Sequence, residues 1–170
     1  MSTIEARLEA LERRAQLAED VLAIQNLMAS YADAADGGWN RATHDPERVA
    51  ALFTEDGVWE GDKGGKVEGR AAIRDLFALL RNTTPFAFHT MANPRIEING
   101  DTAVGQWHLI LFLVTAEGSV VDRPLGEIFG TGIYTNDFVR TPAGWRFRKI
   151  QCSAAFLEPF LEGWKQSLTR

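Results

Sequence analysis

The apolar residues of this chain change their spacing near Phe86, and that change most constrains the fold. Before Phe86, apolar residues recur every three or four positions, which is typical of amphipathic helices. After it, apolar and polar residues alternate as in half-buried strands, with turn sequences at Asn99-Gly100, Glu117-Gly118 and Ala143-Gly144. Helices followed by a meander of long antiparallel strands indicate an α+β fold.

The same spacing predicts where each element begins and ends. One long helix, or two joined helices, is expected over residues 3–36 and is ended by Gly37-Gly38. The remaining predicted elements are a helix at 46–53, a turn and short strand at 56–61, a helix at 69–81, strands at about 86–98, 102–115, 126–140 and 144–156, and a last short helix at 159–170.

Length and composition indicate one soluble domain over residues 1–170 and exclude several classes of partner. The net charge of −5 and the pI near 5.2 argue against nucleic acid and anionic membranes as partners. A lone cysteine, Cys152, excludes an intrachain disulfide. The polar N-terminus does not look like a signal peptide, and no apolar stretch is long enough for a bilayer, so a cytoplasmic location is expected.

The first twenty residues form a predicted helical arm. Ile4, Leu8 and Leu11 repeat at helical spacing among Glu and Arg residues, a stripe suited to an arm or to a subunit contact. Together with the open face of a bent sheet, this stripe suggests a homo-oligomer, either a dimer or a trimer.

Several segments carry a family resemblance from about residue 15 onward. They are the helix 23–36 that ends in Asp36, Leu52-Phe-Thr-Glu-Asp-Gly-Val-Trp59, Val67-Glu-Gly-Arg-Ala-Ala-Ile73, His89-Thr-Met-Ala-Asn-Pro-Arg-Ile-Glu97, Asp101-Thr-Ala-Val-Gly-Gln-Trp107 and Gly144-Trp-Arg-Phe-Arg-Lys149. Together they resemble the SnoaL-like group of the nuclear-transport-factor-2-like superfamily. The resemblance implies a cone-shaped half-barrel, in which a strongly bent antiparallel sheet wraps around N-terminal helices and leaves a deep apolar pocket.

The resemblance also implies a chemistry. The group includes scytalone dehydratase, bile-acid 7α-dehydratase and hexachlorocyclohexane dehydrochlorinase, which are lyases without metal or organic cofactor. In them a strand histidine removes a proton and an aspartate near the end of the first helix holds it; His89 and Asp36 match these positions, and Tyr31 matches a pocket tyrosine. The implied function is a cofactor-independent, dehydratase-like lyase or isomerase for a hydrophobic small molecule, with cyclic compounds included.

The residue types support this pair on physical grounds. Imidazole is the natural general base near neutral pH, and it works best when a carboxylate fixes one ring nitrogen. Plainer interpretations stay open, because Asp before Gly-Gly is common turn chemistry and a strand histidine is commonly a satisfied core residue. Tyr31 could equally be a core tyrosine.

Strand alternation and the resemblance together predict the pocket lining. The predicted substrate-binding residues are Trp59, Trp107, Leu109, Leu111, Gly132, Tyr134, Ile150 and Cys152, with Gly130 and Ala154 at corresponding positions. Two glycines in such a wall would leave volume for a bulky or polycyclic ligand, although a bend of the sheet is a competing reason for glycine. Cys152 is interpreted as a small apolar residue.

The chain departs from the family at several positions. Trp107 replaces a second pocket histidine, and the apolar Ala154 and Ile150 stand where relatives carry an arginine. Substrate identity therefore does not transfer. His44 is expected outside the site or in a loop, and His108 likewise.

The same residues allow three alternatives to the lyase prediction. A metal site of His89, His108 and Asp36 is disfavoured because strand alternation places the two histidines poorly. The other two are a non-catalytic binder of an apolar small molecule and a structural subunit resembling the small subunit of ring-hydroxylating dioxygenases.

Overall fold

The computed structural model of the protein describes residues 3–39, 43–62, 64–119 and 126–159. The elements in chain order are α1 (Ile4–Ala35), α2 (Pro46–Ala51), β1 (Phe53–Gly61), β2 (Gly65–Glu68), α3 (Arg70–Thr83), β3 (Phe86–Asn99), β4 (Thr102–Thr115), β5 (Gly126–Thr141) and β6 (Gly144–Pro159). The predicted α+β order is confirmed. The helix predicted at 159–170 lies almost wholly outside the described residues.

Six strands form one open sheet in the order β2-β1-β6-β5-β4-β3. All neighbouring strands are antiparallel except β1 and β6, which run parallel with Trp59 opposite Ile150. The sheet has the half-barrel form that the family resemblance implies. The short strand β2 was not predicted, because its four residues show no clear alternation and it exists by pairing with β1.

The long helix α1 changes character along its length. Thr3 caps its start by accepting a hydrogen bond from the Ala6 backbone N–H at 3.3 Å. Residues 4–19 are solvent-exposed apart from the half-buried residue 10, whereas from residue 24 onward one face is buried against the sheet. The first half is therefore an arm, and the second half is part of the core.

The next helix is shorter than predicted. α2 ends at Ala51 rather than at residue 53, because Phe53 already begins β1 and pairs with Phe147 of β6. Phe53 is fully buried, and the strand begins at this residue because its ring packs in the core.

The end of α1 is held tightly against the start of β3. Gly37 and Ala87 exchange two backbone hydrogen bonds, of 3.2 and 3.0 Å. Gly38 has a φ of +80°, and a Cβ atom there would lie 2.2 Å from the Pro85 carbonyl oxygen. Only glycine allows this close approach, which brings the helix-end residue Asp36 beside β3.

The core lies between α1, α3 and the inner face of the sheet. Tyr31 makes edge contacts with the rings of Phe77, Tyr134 and Phe147, at centroid distances between 5.8 and 6.1 Å.

β3 bends where Asn93 adopts a φ of 52° before Pro94, and its register with β4 shifts there. The helices among the described residues lack an apolar stretch of the length that a bilayer crossing requires.

Candidate active site

His89 and Asp36 form a buried pair. Oδ1 of Asp36 accepts a hydrogen bond from Nδ1 of His89 at 2.6 Å and a second one from the His89 backbone N–H at 3.0 Å. The side chains are 11% and 5% exposed, respectively. An ionised carboxylate only accepts hydrogen bonds, so Nδ1 of His89 donates in this contact and Nε2 is the ring nitrogen that the carboxylate leaves unbound.

The local fold explains why this pair forms. Asp36 is the C-cap of α1 and its backbone is extended (ψ 156°), which turns the carboxylate away from the helix and toward β3. The Gly37–Ala87 bridge fixes the position of β3 along its own axis relative to this carboxylate. One carboxylate oxygen thus binds two N–H groups of the same residue, and this fixes both the backbone and the ring of His89.

The His89 ring lies in the wall of a cavity of about 120 Å³ that is partly open to the surface. Within the described ranges no group hydrogen-bonds to Nε2 of this ring. Most of the wall is apolar, with contributions from α1, β1, α3 and the strands β3–β6. The residues that line it are Tyr31, Ala35, His44, Trp59, Gly61, Asp62, Gly64, Leu76, Phe77, Leu80, Thr84, Ala87, His89, Leu111, Leu113, Tyr134, Cys152, Ala154 and Leu157.

Three neighbouring polar side chains, those of Trp59, Tyr31 and Tyr134, form a second part of the wall. The Trp59 indole donates a hydrogen bond to the Tyr31 hydroxyl at 2.9 Å, and the Tyr31 ring makes an edge contact with the ring of Tyr134. Burial raises the pKa of Tyr31 and the pKa of Tyr134 well above the ordinary value of 10. Both phenols therefore stay neutral over the physiological pH range and remain hydrogen-bond donors.

Cys152 lies next to these polar side chains and interacts with the Tyr134 hydroxyl. Burial raises the pKa of its thiol to about 11, so the thiol is protonated at neutral pH. This agrees with its interpretation as a small apolar residue.

His44 belongs to the wall, although the sequence indicated a position outside the site. Its Nδ1 lies 2.7 Å from the Ala35 carbonyl oxygen and its Nε2 lies 2.8 Å from that of Thr84. Ala35 ends α1 and Thr84 caps α3, so the ring joins the C-terminal ends of two helices. No local pattern marks this role, because both partners are backbone carbonyls from distant segments. The sequence feature that bears most directly on the position of His44 is Gly37, because a Cβ atom there would lie 2.4 Å from the His44 ring.

The structure brings together part of the predicted site. Tyr31, His89, Trp59, Leu111, Tyr134, Cys152 and Ala154 line the cavity, and Asp36 binds His89 from behind the wall. Trp107, Leu109, Gly132 and Ile150 do not line it, nor does Gly130, and this corrects the predicted lining.

The correction concerns position along the strands rather than the face of the sheet. Trp107, Leu109 and Leu111 are all buried on one face, as alternation predicts. However, only Leu111 lies opposite His89 on β3, at the level of the cavity. Trp107 packs instead against Phe138 with ring centroids 5.9 Å apart, and Ile150 is fully enclosed in the core.

The two glycines of β5 do not create ligand volume. A Cβ atom on Gly132 would lie 2.4 Å from the Ser153 carbonyl oxygen, and one on Gly130 would lie 2.2 Å from the Leu157 side chain. The register of β5 with β6 shifts between Thr131 and Gly132. These two glycines therefore do not support the suggestion of room for a polycyclic ligand, and the competing explanation, a bend of the sheet, accounts for both residues.

The alternative metal site does not form. His108 is exposed and contacts Asn93 at 3.3 Å. It lies opposite Ala92, whereas His89 lies opposite Leu111, and residues 108 and 111 face opposite sides of β4. In the part of the chain that the structure describes, no three metal-ligating side chains cluster.

Comparison with known proteins agrees with the fold and places the chain in a family. The family description "SnoaL-like domain" matches residues 16–151, which is most of the chain. The chain is a member of the SnoaL-like family. This SnoaL-like protein is 30% identical to an uncharacterized protein of Mycobacterium tuberculosis over 135 residues, which cover 78% of the chain and 84% of the relative.

Solved structures share the SnoaL-like architecture. A protein of Novosphingobium aromaticivorans with a proposed aromatic ring hydroxylase activity has 28% identity and a TM-score of 0.71, over 85% of this chain and 95% of that one. A hexachlorocyclohexane dehydrochlorinase of Novosphingobium barchaimii has 22% identity and a TM-score of 0.69, over 89% and 94% of the two chains. At 22% identity, the second likeness shows the fold alone.

Proposed function

We propose that this SnoaL-like protein is a cofactor-independent lyase or isomerase that acts on a hydrophobic small molecule by general-base proton abstraction. The observation that carries the proposal is the 2.6 Å contact between Nδ1 of His89 and Oδ1 of Asp36, with the ring in the wall of an apolar cavity. Imidazole oriented in this way is the arrangement that general-base catalysis requires.

The proposed step begins at the unprotonated Nε2 of His89. Nε2 takes a proton from a substrate carbon that lies beside a carbonyl group or a leaving group. The C–H electron pair then either expels the leaving group or forms an enolate, and the imidazolium returns its proton to the departing group or to another carbon. Asp36 stabilises the imidazolium that forms.

Tyr31 supplies the complementary donor in this proposal. Its buried hydroxyl stays protonated and already accepts a hydrogen bond from Trp59, which raises its capacity to donate to a substrate oxygen. Negative charge that develops on a carbonyl or leaving oxygen would thus be stabilised from α1 while His89 acts from β3.

The wall also favours a class of substrate. The described residues of the wall include no Arg or Lys and do include the Asp62 carboxylate, so they favour a neutral substrate over a carboxylate or phosphate. Neutral ketones, alcohols or halides with apolar bodies fit such a wall best. The dehydrochlorinase among the fold neighbours is, by its name, an enzyme of this elimination class.

The proposal is tested by hydrogen–deuterium exchange of cyclohexanone and 2-tetralone in D₂O, followed by NMR. We expect the wild-type protein to speed exchange at the carbon beside the carbonyl, and His89→Ala to lower that rate by about 10²–10⁴. Asp36→Asn should also lose activity, since an amide can donate to Nδ1 and so leave the proton on Nε2.

His108→Ala is the matched control, because it removes an exposed imidazole on the neighbouring strand without touching the cavity. It should exchange at the wild-type rate. Equal rates for wild type and His89→Ala would remove His89 as the base.

Non-catalytic binding of an apolar molecule is the second candidate, favoured by the predominantly apolar wall of the cavity. The same ketones separate the two functions. Binding that raises the thermal unfolding midpoint, with no exchange above the buffer rate, would support the binder and contradict the lyase.

A further inference from the structure

The arm of α1 carries a second apolar stripe that the domain does not use. Its six positions are separated alternately by four and three residues, which is the a/d spacing of heptad repeats. Most of the large side chains on it are more than half exposed. The stripe, here called the arm seam, consists of Ile4, Leu8, Leu11, Ala15, Ala18 and Leu22.

The arm seam faces away from the folded domain. At about 100° per residue, its centre lies roughly opposite the face that Ile24, Met28 and Tyr31 bury in the core. A second helix could therefore lie along the seam over about 27 Å, at about 1.5 Å per residue, while the two domains stay on the outer sides. Among the described residues of one chain, none packs along the exposed side of the arm seam.

Acidic residues lie on one side of the arm seam and basic residues lie on the other. With Leu8 and Leu22 at a positions, the e positions hold Glu5, Glu12 and Glu19, and the g positions in the first two heptads hold Arg7 and Arg14. In a parallel pair of helices each g residue meets the e residue of the next heptad on the partner. Arg would therefore meet Glu at every such contact. In an antiparallel pair, g meets g and e meets e, so like charges would face each other.

We infer that residues 4–22 of two copies of this chain associate as a parallel two-stranded coiled coil. Arg7 and Arg14 of one copy would face residues 12 and 19 of the other. The successive alanine layers at 15 and 18 favour two strands, since small side chains fill the core only where two helices approach closely. This inference does not depend on the proposed lyase function.

The first test measures the mass of the full-length protein by light scattering after size exclusion. Leu11→Glu places a charge in the arm seam, and we expect its particle mass to be half that of the wild type. Leu17→Glu is the matched control on the same helix, because Leu17 is 51% exposed, close to the 59% of Leu11, but occupies a c position outside the seam. It should keep the wild-type mass.

The second test determines orientation by charge exchange. In a parallel pair, Arg14→Glu places two glutamates together at each 14–19 contact, and Glu19→Arg places two arginines together. We expect each single variant to weaken association at least several-fold, and the double variant Arg14→Glu/Glu19→Arg to restore it. An antiparallel pair would give the opposite result, because each single variant would relieve a repulsion.

Three outcomes would overturn the inference. Equal masses for Leu11→Glu and Leu17→Glu would show that the arm seam is not an interface. A wild-type mass three times that of Leu11→Glu would exclude two strands. Tighter association of the Arg14→Glu single variant would exclude the parallel orientation.

Discussion

Cys152 shows how position alone sets the chemistry of a side chain. It lies in the cavity wall beside Tyr134, where a nucleophile would have access to a ligand. Burial disfavours the thiolate and raises the pKa of the thiol from 9.0 to about 11. The burial that raises this pKa therefore keeps the thiol protonated at neutral pH and disfavours Cys152 as a nucleophile.

We expect Cys152 to resist alkylation by iodoacetamide in the folded protein. A pKa higher by about two units lowers the thiolate fraction at pH 8 by roughly 100-fold, and the thiolate is the reactive form. The rate, followed by mass spectrometry, should be at least about 100 times slower than in denaturant and should rise with pH toward 11. Because Cys152 is the only cysteine, each added group reports on this site. Similar rates in folded and unfolded protein would contradict the buried thiol.

At the scale of elements, Asp20 fastens α1 to the β5–β6 hairpin. Its carboxylate accepts hydrogen bonds from the Arg140 guanidinium at 2.7 and 2.6 Å and from the Trp145 indole at 3.0 Å. Arg140 also stacks over Trp145, 4.6 Å from the ring centroid. The hydrogen bond from Arg140 is the main reason that the pKa of Asp20 falls to about 2.

This link predicts how stability depends on acid. The folded-state pKa of Asp20 lies below its ordinary value of 3.8, so the contribution is fully present above about pH 4 and is lost as pH falls toward 2. We expect Asp20→Asn to lower the free energy of unfolding by about 2 kcal/mol at pH 7 and to flatten the pH dependence below pH 4, measured by urea denaturation.

Asp101 supplies the control, since it also binds Arg140 but its side chain is 80% exposed. Asp101→Asn should change the free energy of unfolding by less than about 1 kcal/mol, because solvent screens exposed pairs. If the two variants lost equal stability, burial would not be the source of the effect.

On the scale of the whole molecule, the arm and the domain divide α1 between them. Residues 4–9 and 11–19 are exposed, and the buried face of the helix begins at Asp20 and Ile24. Because folding free energy comes largely from buried apolar surface, the arm contributes little to the stability of one domain.

Removal of residues 1–15 should therefore leave the domain folded. This deletion keeps Gln16, which donates to Asp20 at 3.2 Å. We expect the free energy of unfolding in urea, at protein concentrations low enough to keep chains separate, to change by less than about 1 kcal/mol. Loss of cooperative unfolding, or a decrease above about 2 kcal/mol, would show that the arm belongs to the domain core.

The sequence alone determined the element order and the inner face of each long strand. Helical and strand periodicities are local properties, and they predicted α1, α3 and the strands β3–β6 close to their observed bounds. The pairing of His89 with Asp36 was predicted from family resemblance at both positions, and the contact is present. Its catalytic role stays a prediction.

The position of the cavity and the set of side chains that reach it follow from the tertiary fold. A cavity is the space that side chains from distant segments leave unfilled. Alternation predicts that Trp107 and Leu109 lie on the inner face of the sheet, but it does not predict whether their positions along the strand coincide with the cavity. His44 reaches the wall because two helix ends meet, and Gly130 and Gly132 serve a bend set by β6. These features depend on contacts between residues far apart in sequence, which no local pattern records.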